Sequence, residues 1–229
     1  MTVTPNSTLH TLITSEEYSL ALKWWLGAPI FPEEETERTC PGCGKVSDIF
    51  GDHLLCCARN NYTRRHKAVQ DALAEICTTS GQGFTREAAL PDCPDGELRP
   101  ADLLLSAFQS GAPTALDVTV AHGWQQSERD TVSRERWRTF LRRKEQAKHA
   151  KYDAQCKRAG WGFLAAAFGT WGGMGPEAGR VVHRLVKRAA GWHEGELRAA
   201  RQHEFMEGIG LALMRQVWNL LGNKNHFFR

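Results

Sequence analysis

Glu87, Asp102 and Asp117 lie in three short apolar runs, each bounded by turn residues. The runs span about residues 84–90, 98–105 and 114–120 and read as a three-strand meander. The first turn centres on Pro94-Asp95 and the second on Gln109-Ser110. Antiparallel pairing about those centres sets Glu87 opposite Asp102, and Asp102 opposite Asp117. Side chains so opposed have Cβ atoms about 4.5–5.5 Å apart, where like charges repel. A hard divalent cation held by oxygen ligands, Mg2+ or Mn2+, is the simplest compensation. A register slipped by one or two residues would instead leave the acids facing solvent.

A second set of ligand-type residues precedes them. Cys40 and Cys43 flank Pro41-Gly42, His53 follows after nine intervening residues, and Cys57 after three more. Cys-x2-Cys and His-x3-Cys pairs joined by a loop fit a tetrahedral Cys3His zinc site of the structural type, with no open position. Cys56 competes for the fourth place, but it would shorten the His-to-Cys spacing. Cys77, Cys93 and Cys156 stand alone and read as core or surface thiols. An odd total of seven cysteines with a metal-like cluster favours a reducing compartment over a disulfide framework.

Charge is unevenly placed. Residues 129–158 carry eleven Lys or Arg against four Asp or Glu, a net of +7, whereas the whole chain is at +3 and the remainder therefore at −4. Such a block fits a polyanion-binding face, although a solvated helix laced with ion pairs has the same composition. Within it, Lys144, Lys148 and Lys151 recur at i, i+4 and i+7, so one helix face carries all three. Arg134, Arg138, Arg142 and Arg143 are placed to contact phosphates. Arg64, Arg65 and His66 open another helix, where they could contact the phosphate backbone or scaffold the site, and a helix start already favours phosphate.

These residues need elements to hold them. A short amphipathic helix is expected over 16–27, a second helix over 64–79, the three strands, a long basic helix over 128–158, a strand over 161–168 and two closing helices over 177–191 and 196–221. The order from Arg64 is α-β-β-β-α-β, and the long helix suits a crossover between parallel strands. The expected fold is α/β with a mixed sheet. Residues 1–60 form a helix plus zinc knuckle, 61–175 the core and 176–229 a helical extension. Trp124, Trp161, Trp171 and Trp192 default to packing. Trp24-Trp25 reads as a docking face for the knuckle or for an upstream domain.

The chain has 229 residues, 41% hydrophobic and 24% charged, which is ordinary for a globular protein. No stretch nears the ~18 apolar residues of a membrane span. The N-terminus has neither the basic nor the apolar region of a secretory signal.

The ordered set of motifs resembles the C-terminal region of non-LTR retrotransposon proteins that carry a restriction-like, PD-(D/E)XK-type endonuclease. The position two after Asp117, where that class usually has its lysine, is Thr119. In this branch a zinc knuckle precedes an Arg-His helix start, an Arg-Pro-x-Asp strand and an Asp-containing strand, and the lysine is displaced onto the next helix in a Lys-x-x-Lys-Tyr run. Here these read Cys40, Cys43, His53 and Cys57; Arg64-Arg65-His66; Arg99-Pro100-Ala101-Asp102; Leu116-Asp117-Val118; and Lys148-His149-Ala150-Lys151-Tyr152. The likeness covers about residues 20–178, two thirds of the chain.

The resemblance implies a restriction-endonuclease-like core and a metal-dependent DNA endonuclease. Asp102, Asp117 and Glu87 would bind Mg2+ or Mn2+, and Lys148 or Lys151 would be the catalytic lysine, Lys148 being favoured. It also implies nuclear chromosomal DNA as target, nicked to prime reverse transcription, with an upstream reverse transcriptase domain and element RNA as partners. No Tyr-x-Asp-Asp run occurs and 229 residues leave no room for that enzyme, so the chain would be an excised domain or a stand-alone remnant. Two other functions suit the same residues. One is a non-catalytic, zinc-containing nucleic-acid-binding module with a decayed acidic cluster. The other is a structure-selective junction resolvase with the same core order.

Overall fold

The computed structural model describes residues 14–31, 39–40, 42–57, 59, 62–91, 99–109, 111–123, 134–170, 172–189 and 208–210. Nine elements follow in order: α1 (Ser15–Trp25), α2 (Asp52–Cys56), α3 (Tyr62–Thr79), β1 (Phe84–Ala88), β2 (Ala101–Gln109), β3 (Ala112–Ala121), α4 (Arg134–Arg158), β4 (Gly162–Gly169) and α5 (Pro176–Ala189). The order α-β-β-β-α-β from α3 onward is the expected one. Residues 208–210 are helical. The turn at Pro94-Asp95, Cys93, Trp124, Trp171, Trp192 and most of the 196–221 helix lie outside the described residues.

The four strands form one sheet in the order β1-β2-β3-β4, antiparallel for the first two pairs and parallel for the last. A parallel neighbour cannot follow a tight turn, so α4 makes the crossover. β3 and β4, covered on both faces, are almost wholly buried, as parallel strands usually are. Leu103, Leu105, Leu116, Val118, Leu164 and Phe168 pack against Val69, Leu73 and Ile76 of α3 and Val182 and Leu185 of α5. The opposite face sets Ala115, Phe163 and Ala165 against Tyr152 and Cys156 of α4.

The register is the one the turn centres predicted. Arg86 pairs with Leu103 and Ala88 with Ala101, which sets Glu87 across from Asp102. Leu103 pairs with Leu116, so the next step sets Asp102 across from Asp117. Asp117 in turn pairs with Ala165 of β4. Glu87 departs from strand geometry, with φ of 50°. The β2–β3 ladder shifts between Leu105 and Gln109, where Ala107 also has φ of 50°.

Outer groups of β4 are covered by its own sequel. Glu177 accepts the Ala165 N–H at 3.0 Å, Gly175 N–H donates to Ala167 O at 2.8 Å, and Gly169 N–H donates to Gly173 O at 2.7 Å. The glycine-rich loop that makes this return also receives Trp137 of α4. A Cβ at Gly123, Gly169 or Gly173 would collide with that indole ring. Glycine at these places is thus the space α4 needs to lie down on the strand ends.

Candidate metal centre and active site

The knuckle begins as a tight turn. Gly44 N–H donates to Cys40 O and Cys40 N–H to Lys45 O, each at 2.7 Å, and Thr39 bridges Val46. Asp48 then organises the chain that carries His53, accepting the backbone N–H groups of Phe50, Asp52 and His53 at 2.9, 3.1 and 2.8 Å. The result brings one ligand atom each of Cys40, Cys43, His53 and Cys57 within 4.8 Å of one another. Cys43 Sγ lies 3.2 Å from His53 Nε2. The backbone N–H of Lys45 draws the Cys43 thiol down to about 6; burial, the next-largest effect, pushes the other way, and the contacts with His53 and the other thiols add to the downward pull. Metal ligation needs thiolate, so this environment favours it. Three thiols and an imidazole at this spacing suit Zn2+, whose bonds to sulfur and nitrogen are about 2.3 and 2.0 Å. Cys57 completes the set.

The knuckle is bound to the core on both sides of α2. Arg65, buried in α3, donates from Nη2 to Leu55 O at 2.7 Å. His122, whose side chain is 1% exposed at the end of β3, lies 3.3 Å from Asp52 Oδ1 through Nε2 and 2.7 Å from Thr170 Oγ1 through Nδ1. Trp24 stacks on that imidazole and packs with Cys40, Leu54 and Cys57. Trp24 therefore docks the knuckle, whereas Trp25 is exposed.

This placement gives two residues of the Arg64-Arg65-His66 run the scaffolding role rather than the phosphate-contacting one. Arg65 is turned inward against the knuckle and His66 toward Asp102, so only Arg64 of the three is exposed for a phosphate. Arg65 lies four residues before Val69 and eight before Leu73, so it falls on the stripe of α3 that those residues bury.

The acids each meet a different donor. Asp102 Oδ2 accepts from His66 Nε2 at 2.9 Å and from the Val118 backbone N–H. The hydrogen bond to Asp102 holds His66 above its ordinary range despite burial. Asp117, 6% exposed, has its carboxyl pushed up by burial, against which Lys148 pulls it down. Lys148 Nζ lies 3.0 Å from both of its oxygens. Glu87 Oε1 accepts from Gln70 Nε2 at 2.6 Å. Asp102, Asp117, Glu87, His66 and Lys148 are thus gathered at one end of the meander. Their oxygens do not converge as the knuckle's ligands do; among the described residues the cysteine–histidine set is the one such group. Carboxylates that repel one another turn to separate donors, and a cation would have to draw them together.

The lysines do not share one environment. The buried stripe of α4 runs through Leu141, Glu145, Tyr152 and Cys156, with Lys148 half-buried beside it. Lys144 and Lys151 are exposed on the shoulders, over the rings of Phe140 and Tyr152 at 5.3 and 4.6 Å. Glu145 was not expected to matter. It accepts the N–H groups of Glu177 and Ala178 at 3.0 and 3.1 Å and so caps α5. Burial pushes its carboxyl up while those donors pull it down. Glu177 also accepts from His149 at 2.6 Å, and Asp153 takes the other ring nitrogen at 2.8 Å. Two acids of the basic block are therefore engaged elsewhere. Among the described residues, no acid pairs with the exposed Arg138, Arg142 or Arg143. Arg134's side chain lies outside the described residues.

No family model matches the chain, and no curated protein does.

Cys77 and Cys156 are buried, with thiols pushed up to about 12 and about 11 by desolvation, and read as inert packing. No helix among the described residues is long and apolar enough to cross a membrane.

Proposed function

We propose that the chain is a metal-dependent DNA endonuclease domain of the restriction-like class, with a structural zinc knuckle. The observation that carries the reading is Lys148, delivered from the crossover helix onto Asp117, next to Asp102 on the adjoining strand. A module that only binds nucleic acid would need the knuckle and the exposed arginines, but not a half-buried lysine on a buried aspartate. The resemblance to the retrotransposon endonucleases fits the same residues, and in that setting the cut would prime reverse transcription.

Asp102 and Asp117, with Glu87, offer the hard oxygen ligands that Mg2+ or Mn2+ takes. Such an ion supplies an activated water and charge stabilisation on the phosphoryl oxygens. The chain's own contributions are separable. His66 fixes the rotamer of Asp102 through Oδ2. Lys148 is positioned to stabilise negative charge as the phosphorus–oxygen bond to water forms and the bond to the leaving oxygen breaks. Arg138, Arg142 and Arg143 would track the phosphate backbone.

Nicking of supercoiled plasmid in Mg2+ tests the reading. Asp102→Asn and Asp117→Asn should each abolish nicking and leave DNA affinity equal or tighter, since a charge that repels phosphate is removed. Parental rates in both variants would leave the non-catalytic binding module as the better account.

A further inference from the structure

We propose that Gln70 is a positioning residue that makes Glu87 the third carboxylate of the Asp102–Asp117 site. The inference rests on the nuclease reading above and adds how the third acid is held.

Gln70 lies one turn after His66 on α3 and is 4% exposed. Its Nε2 donates to Glu87 Oε1 at 2.6 Å and to the backbone carbonyl of Asp102 at 3.0 Å. Both partners can only accept, so the amide orientation is fixed and both of its protons are used. One side chain thereby ties the Glu87 carboxylate to the strand position that carries Asp102.

Glu87 is an unusual residue to find there. It is exposed, yet its backbone sits in the left-handed region at φ 50°, which residues other than glycine, asparagine and aspartate rarely adopt. Nothing in the packing of an exposed strand residue demands this. The turn does bring the carboxylate to Gln70, and local strain of this kind collects at functional sites.

The donor type also matters. Asp117 is matched by a lysine and Asp102 by a histidine. Glu87 is held by a neutral amide, which orients a carboxylate without cancelling its charge. It is therefore the acid whose full negative charge is available to an incoming divalent cation. A purely structural tie between α3 and the sheet would be indifferent to metal.

Mn2+ titration of the full chain by calorimetry separates these accounts, with Mg2+ half-saturation of nicking as a second readout. Gln70→Leu should weaken Mn2+ binding roughly tenfold with zinc content and DNA affinity unchanged. Glu87→Gln should weaken Mn2+ binding to the same degree, with DNA affinity equal or tighter because a charge that repels phosphate is removed. The double variant should be no worse than Glu87→Gln alone, because Gln70 acts through Glu87. Gln70→Met replaces Gln70→Leu if the latter does not fold. Parental Mn2+ affinity in the Gln70 variant, or a double variant that multiplies the two single effects, overturns the proposal. Asp102→Asn marks which reading fails. If it abolishes Mn2+ binding while Gln70→Leu keeps the parental affinity, only the positioning role is lost. If it too changes nothing, the metal-dependent nuclease falls, and this proposal with it.

Discussion

Lys148 Nζ sits 3.0 Å from each carboxylate oxygen of Asp117, bridging α4 to the centre of the sheet. Lys151, one turn on, lies over the Tyr152 ring instead. Lys148→Ala should therefore lower single-turnover cleavage by about 100-fold or more, the size typical of losing an electrostatic stabiliser. DNA affinity should change little. Lys151→Ala should weaken DNA binding and spare turnover. Single-turnover rates and fluorescence anisotropy on both variants decide it, and equal effects would contradict the division of roles.

Elemental analysis should find about one zinc per chain, as four protein ligands of this type require. Cys43→Ser should lose the metal and lower the melting temperature. Because α2 is tied to Arg65 and His122, the loss should also loosen the core. A fully zinc-loaded Cys43→Ser protein would remove this centre from the account.

His149 gives a pH dependence with a definite sign. Burial lowers its tendency to hold a proton, but the hydrogen bonds to Glu177 and Asp153 outweigh this and raise it above the ordinary 6.5. A folded-state value above the unfolded one means stabilisation that is complete below about pH 6.5 and lost as pH climbs through the raised value. The melting-temperature gap between the parent and His149→Gln should thus be widest below about pH 6.5 and narrow as pH rises through the raised value. A gap that widens with pH would reverse the assignment.

Arg138, Arg142 and Arg143 are exposed without acidic partners among the described residues. Reversing all three to Glu should reduce the dependence of log affinity for duplex DNA on log salt by about two to three, at ~0.9 per phosphate contact. An unchanged slope would mean that α4 faces something other than nucleic acid.

Strand register was legible because turn centres alone fix which residues oppose, and the Glu87–Asp102–Asp117 alignment follows from them. The knuckle was legible because metal geometry constrains spacing tightly. Gln70, Glu145 and Glu177 were not. A buried polar side chain on a helix looks like any other until its hydrogen-bond partner is known, and those partners lie 17, 32 and 12 residues away. A helix over 177–191 was expected, but nothing local said its first N–H groups would be met from α4. Which of its two expected roles Arg65 takes was not legible for a related reason. A basic residue beside other basic residues looks solvent-facing, whereas helix rotation turned it onto a carbonyl from another segment.

The two ties on α2 have a consequence for anyone dividing this protein. A boundary near residue 60 looks natural on composition, yet it severs Asp52 from His122 and Leu55 from Arg65. A fragment beginning there would keep an imidazole and a guanidinium in apolar surroundings after removing their acceptors, and polar groups stranded in this way are expensive to bury. The knuckle is consequently a poor cassette for transplantation, and the sheet-bearing remainder a poor candidate for expression alone. Deletion series should start upstream of α1, since Trp24 belongs to the same joint.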